Sequence, residues 1–203
     1  MYQTNQKNVS ELICTRISHD LIGNIGAVAN AVELLEEGDM DFIDDIRSIL
    51  QISSRVLSAR LKFFRMAFGL SSNNLSDIAV VAETTQGYLQ TLGNSAHPIQ
   101  LDLELHSTEY ARLALLIVMI LADIIVKGGH IEARETSGGF AAIIHKGAIL
   151  SSEKIQQIKA ILDNESTDIT AQFAPVVYLQ NLLNNNKKVN IIESDGTFGF
   201  IVK

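Results

Sequence analysis

The spacing of apolar residues changes character near residue 70. Up to that point it is helical throughout; beyond it, helical stretches alternate with short runs of period two. Asn8 to Glu37 holds no proline, and Glu36-Glu37-Gly38-Asp39 reads as a tight turn between helices. Met40 to Phe68 reads as a second long helix that Gly69 to Asn74 ends. Two helices joined by so short a turn form an antiparallel hairpin. The second carries a seam at Ile43, Ile46, Leu50, Ser53, Leu57, Leu61, Phe64 and Phe68, with the alternating three-and-four spacing of bundle packing. Phe42, Ile49, Ile52, Val56 and Phe63 lie off that seam. One hairpin cannot cover both surfaces, so the simplest arrangement is a four-helix bundle built by two chains, which predicts a homodimer.

Residues 71–203 mix helix and strand. Leu75 to Leu92 reads as helix, and Ile99 to Leu105 alternates as a half-buried strand does. Ala111 to Val126 is apolar enough for a buried helix, stopped by Lys127-Gly128-Gly129. His130 to Glu135 and Phe140 to His145 flank the hairpin signal Ser137-Gly138-Gly139. Helices are expected over Ser152 to Leu162 and Ala171 to Leu183. A last hairpin joins Val189 to Glu193 with Phe198 to Val202 across Ser194-Asp195-Gly196-Thr197. The reading is α+β: a helical hairpin over 1–70, then a layered domain over 71–203 with a largely antiparallel sheet.

Composition narrows the function classes. The 203 residues are 47% hydrophobic, enough to bury a core. No apolar run reaches the ~18 residues of a membrane helix; Leu113 to Val126 is interrupted by Asp123. The polar start Met1-Tyr2-Gln3-Thr4-Asn5-Gln6-Lys7 lacks the apolar centre of an export signal, so the cytoplasm is expected. A net charge of -7 argues against nucleic acid as partner. Cys14 is the only cysteine, which excludes an internal disulfide or a cysteine-based zinc site. His97, His106, His130 and His145 show no metal-ligand spacing and read as strand and loop residues, so no metal is expected.

The first helix carries the candidate chemistry. At ~100° per residue, with Leu21 at zero, Ile13, Cys14, Ile17, Ile25, Val28, Val32 and Leu35 fall within roughly 80° of it and form the expected buried stripe. Cys14 is then an inert core thiol. His19 lies at roughly 160°, sharing the opposite face with Arg16, Gly23, Gly26 and Asn30. Two helix-interior glycines cost about 1 kcal/mol each against alanine. A solvated face would use other residues, so Gly23 and Gly26 suggest close approach by another backbone. The bland alternative is that His19 is an ordinary surface histidine.

The run from Ser18 to Leu35 resembles the phosphorylation helix of the ChpT family of bacterial histidine phosphotransferases and, more distantly, the H-box of sensor histidine kinases. His19, Asp20, Leu21, Gly26, Ala27, Asn30, Glu33, Leu34 and Leu35 carry the likeness. The family has a helix-bending proline where this chain has Asn24. By this resemblance the hairpin forms a dimeric four-helix bundle, followed by a degenerate histidine-kinase ATPase-like α/β sandwich. The features that such a fold needs for ATP are missing: the helix from Leu113 to Val126 has no asparagine for magnesium, and His145-Lys146-Gly147-Ala148-Ile149 lacks the aspartate of an adenine turn. Asp195-Gly196-Thr197-Phe198-Gly199 reads as a β-turn, because no helix follows it. No bound cofactor is therefore expected, and no ATP.

The resemblance implies a phosphotransferase in which His19 is nucleophile and phosphoryl carrier, with Asp20 orienting the ring or taking its proton. Asp20 as a plain surface carboxylate remains the alternative. Arg16, Gly23, Gly26 and Asn30 would meet the partner, Arg16 either steadying phosphoryl oxygens or simply solvated. Expected partners are the receiver domain of a hybrid histidine kinase and response-regulator receiver domains, which bring the acceptor aspartate and Mg²⁺. Gly23 stands where phosphatase-competent kinases place Thr or Asn, which favours transfer over hydrolysis. The competing readings are a divergent autophosphorylating histidine kinase and a non-catalytic dimeric adaptor that binds response regulators.

Overall fold

A computed structural model describes residues 2–37, 42–70, 75–93, 96–166, 169–183, 187–194 and 196–203. The first helix, α1 (Tyr2–Glu36), is helical throughout, Asn24 and both glycines included. Helix α2 (Ile43–Phe68) has Asp44 and Asp45 in its first turn and Arg65 in its last, charges that complement the helix dipole. Gly38 and Asp39 of the expected turn, Met40, and the Ser71–Asn74 part of the expected stop lie outside the described residues. The two helices pack on each other as a hairpin.

Helix α3 (Ile78–Gln90) starts at Asp77, whose carboxylate accepts from the backbone N–H of Ala79 and Val80. Strand β1 (Ile99–Glu104) leads to α4 (Ala111–Ile124). Then come β2 (Ile125–Lys127), β3 (Gly129–Thr136), β4 (Gly139–Ile144) and β5 (Ile149–Leu150). Helix α5 (Ser152–Leu162) is capped by Ser151. A 3₁₀ turn at Ala171–Phe173 precedes α6 (Ala174–Leu183), and β6 (Val189–Ser194) and β7 (Thr197–Val202) close the chain.

Five strands form one sheet in the order β1-β3-β4-β7-β6. β1 and β3 are parallel, and every other pair in it is antiparallel. A parallel pair needs a crossover, and α4 lies within it. Apart from Arg112 and Asp123, α4 is apolar on all sides because it is enclosed on all sides: it packs on β3 and β4, on α2 and α3, and on α5 and α6. Ile125 and Val126, expected at the end of this helix, instead lie in β2, which pairs with β5 through Ile125 and Lys127. The chain then turns through Gly128, whose φ of 52° suits glycine. Gly196, at φ 74°, serves the β6–β7 hairpin; the adjoining Asp195 lies outside the described residues.

One continuous apolar cluster runs from Phe63, Phe64 and Tyr88 through α4 to Phe140, Phe198 and Phe200 of the sheet. The architecture is thus mixed α+β, a helical hairpin followed by a five-stranded mixed sheet layered with helices. No helix among the described residues is long and apolar enough to cross a membrane.

Candidate functional site

His19 lies midway along α1 with its side chain 83% exposed. Its Nδ1 is 3.4 Å from Asp20 Oδ1. The other oxygen of that carboxylate, Oδ2, accepts a hydrogen bond of 2.7 Å from Arg16 Nε one turn back.

Arg16 overturns the placement expected from helical geometry. It was expected on the open face with His19, yet it is 7% exposed. Its Nη1 donates to the carbonyl of Gln172 over 2.9 Å, and its Nη2 to Asp123 Oδ1 over 2.8 Å. All three guanidinium nitrogens bond inside the chain and the side chain is buried, which turns it away from a partner's phosphoryl oxygens. The reason is the rotation of α1. Its covered side is centred roughly 80° from Leu21, towards Ile13, Arg16, Asp20 and Ala31, because the 3₁₀ turn and α6 pack there.

The same rotation corrects the expected buried stripe. Cys14 is exposed, and so are Ile25, Val32 and Leu35. Cys14 is therefore not a core thiol of the single chain. Ile22, next to His19 on the helix surface, is 64% exposed.

Asp123, Arg60, Tyr88 and Lys154 complete the surroundings. Lys154 Nζ donates to the backbone carbonyl of Asp123 over 2.7 Å. Arg60 of α2 donates to the backbone carbonyl of Asp20 through Nη1, and to Thr91 Oγ1 (3.1 Å) and Thr91 O (3.2 Å) through Nε and Nη2. Burial pushes the Asp123 carboxyl above the usual carboxylate range, and Arg16 pulls against that. For Arg16, burial opposes the charge, but Asp123, Tyr88 and Asp20 together outweigh it and the guanidinium titrates above its ordinary value. Burial, reinforced by Asp123, keeps Tyr88 a neutral phenol.

Gly23, Gly26 and Asn30 share the exposed side of α1 with His19, as its helical angles predict. A Cβ built at Gly23 or Gly26 meets no atom within 4 Å, so nothing within the chain requires glycine at either place. The structure thus brings His19, Gly23, Gly26 and Asn30 onto one open surface and turns Arg16 beneath it. Asp123 and Arg60 were not singled out for the site from the sequence. A lone carboxylate in the apolar stretch from Leu113 to Ile124 signals a buried partner, but not that the partner lies on α1.

Of the remaining histidines, His130 lies on β3 and His145 directly follows β4. His130 Nε2 is 2.8 Å from Asp102, His145 Nε2 is 2.6 Å from Glu132, and the two rings stack at 4.7 Å. Among the described residues, no group of three or more His, Cys, Asp or Glu is arranged to hold a metal ion.

No family model matches the chain. In sequence it is 44% identical over 66 residues to the protein phosphotransferase ChpT of Brucella abortus (strain 2308), a match covering 32% of this chain and 31% of that protein. In structure it is similar to a bacterial phosphotransferase, with a TM-score of 0.77 and 25% identity over 97% of this chain and 96% of the other. A blue-light activated histidine kinase of Erythrobacter litoralis gives a distant match, with a TM-score of 0.43 at 16% identity over 92% of this chain and 59% of that one. The chain is ChpT-like: similar in sequence to ChpT over about a third of its length, and in fold to a bacterial phosphotransferase over nearly all of it.

Proposed function

We propose that the chain is a histidine phosphotransferase of a multistep phosphorelay, in which His19 takes a phosphoryl group from one receiver domain and hands it to another. The observation that carries this reading is His19 itself, an exposed imidazole with an aspartate at its Nδ1, on a helix whose run from Ser18 to Leu35 resembles the ChpT phosphorylation helix.

In this reading the proton sits on Nδ1, facing Asp20, and Nε2 carries the lone pair. Nε2 attacks the phosphorus of an aspartyl phosphate on the donor; the N–P bond forms as the P–O bond breaks, and the donor carboxylate leaves. Asp20 stabilises the positive ring that results. The acceptor's aspartate then attacks, and the imidazole leaves with its Nδ1 proton. Mg²⁺ belongs to the receiver, and the reaction rests on positioning and charge neutralisation. Gly23, Gly26 and Asn30 form the floor on which the receiver settles, with Gly23 favouring transfer over hydrolysis.

Residues 1–70 serve dimerisation and phosphotransfer, and 71–203 form a degenerate ATP-binding-like domain that takes no ATP. Two features support that division. Asp123, the lone acid of α4, is engaged by Arg16 rather than free for a metal. The hairpin also leaves Ile22, Ile25, Val32, Phe42, Ile49 and Ile52 exposed, an apolar face suited to a second copy.

The test is transfer from a phosphorylated receiver domain to wild type and His19→Ala without free ATP. Acid-labile label on the wild type alone is expected. Label on neither protein, with donors proven active, rejects the reading in favour of an adaptor; labelling of the isolated wild type by ATP identifies a kinase instead.

A further inference from the structure

We propose that Asp123 is a positioning residue for chemistry at His19, acting through Arg16 and Asp20; this rests on His19 being the phosphoryl carrier. His19 is too exposed to be held by packing, and its ring is steered by Asp20 Oδ1 at 3.4 Å. Asp20 in turn is set by Arg16 Nε on Oδ2. An arginine side chain has many rotamers, and a guanidinium beside a carboxylate prefers a two-pronged pair that takes both oxygens. Here that pair does not form. Asp123 Oδ1 takes Nη2 and the Gln172 carbonyl takes Nη1, so Arg16 offers Asp20 only Nε. The division leaves Asp20 Oδ1 for the imidazole.

Asp123 stands at the end of α4, in the part of the chain that follows the hairpin, so α4 sets the orientation of a histidine it does not touch. Arg60 holds the Asp20 carbonyl from α2, and Lys154 holds the Asp123 carbonyl from α5; each fixes backbone and leaves the carboxylates to Arg16. Without the negative charge of Asp123, Arg16 swings onto both oxygens of Asp20, and His19 loses its guide while remaining exposed.

The test uses the full chain with Asp123→Asn, and with the pair Arg16→Met and Asp123→Leu, which replaces the buried ions by apolar groups. Two readouts are needed: the rate and half-saturation of phosphoryl transfer from a phosphorylated receiver domain, and the tautomer of the His19 ring by nitrogen NMR. Asp123→Asn is expected to slow transfer about 10- to 100-fold at unchanged half-saturation, the scale of a misplaced reacting group, and to reduce the Nδ1–H tautomer. The double variant is expected to melt close to wild type and yet stay slow. A wild-type rate and tautomer in Asp123→Asn, or a rate that returns with melting temperature in the double variant, overturns the proposal and leaves the cluster a structural clamp. If the wild type accepts no phosphoryl group, the reading of His19 fails, while the tautomer still decides whether Asp123 steers the ring.

Discussion

Phe63 of α2 lies flat on Tyr88 of α3, with ring centroids 3.9 Å apart and planes 10° from parallel. Both rings are fully buried, and Phe64 meets Tyr88 edge-on at 5.9 Å. This stack is one of the places where the hairpin joins the rest of the chain, and it places the Tyr88 ring near the charges of Arg16, Asp20 and Asp123. Phe63 is off the seam of α2, and its sequence position suggested a surface for a second chain; α3 covers it instead. Phe63→Ala is expected to cost about 3–5 kcal/mol, the loss of a buried aromatic plus its cavity. Urea unfolding measures it, and a cost below about 1 kcal/mol would contradict the packing.

The two open glycines separate stability from function. Gly23→Ala and Gly26→Ala are each expected to stabilise the chain by about 1 kcal/mol, since helix propensity rises and the new methyl meets nothing. Transfer from a phosphorylated receiver is expected to slow in the same variants. Thermal melting and transfer rates on the same samples decide it: higher stability with undiminished transfer would show that no partner approaches there.

The exposed apolar face of the hairpin predicts a dimer. Ile25, Val32, Ile49 and Ile52 are too much apolar surface for one region of a monomer to leave bare without use. Sedimentation equilibrium is expected to give two chains for the wild type and one for Ile25→Glu combined with Ile52→Glu, with helical circular dichroism retained. A monomeric wild type would remove this surface from the dimer proposal.

Glu135 supplies a pH dependence of known sign. Its carboxylate accepts from the N–H of His106 (2.8 Å) and Ser107 (2.9 Å) and from Ser107 Oγ (3.0 Å). These bonds, the one from His106 N–H foremost, hold it below the usual glutamate range. A lowered carboxylate stabilises the fold fully above the unfolded value of about 4.3 and stops doing so as pH falls through the lowered one. The stability difference between wild type and Glu135→Gln, followed by urea unfolding from neutral to acid pH, is expected to shrink below about pH 4. A difference that stays constant would assign the effect to shape rather than charge.

The order and kind of most elements were legible in the residues because period and punctuation are local; the short β2–β5 pair, which depends on contacts between distant residues, was not. The uninterrupted run before Glu37, the apolar α4 and the Gly-marked hairpins at Gly138-Gly139 and Gly196 all depend on neighbours in sequence. His19 and its flanking glycines were legible too, since a helix fixes the angles among its own residues. The side of α1 that meets its surroundings was not. Helical geometry spaces Arg16, Leu21 and Cys14 relative to one another, but the rotation of the whole helix depends on what packs against it. The apolar stripe through Cys14 and Ile25 pointed one way; the ion pair between Arg16 and Asp123, 107 positions apart, accompanies the other. A buried charge needs a partner wherever the fold brings one, and only the tertiary structure decided that the partner of Arg16 would come from α4.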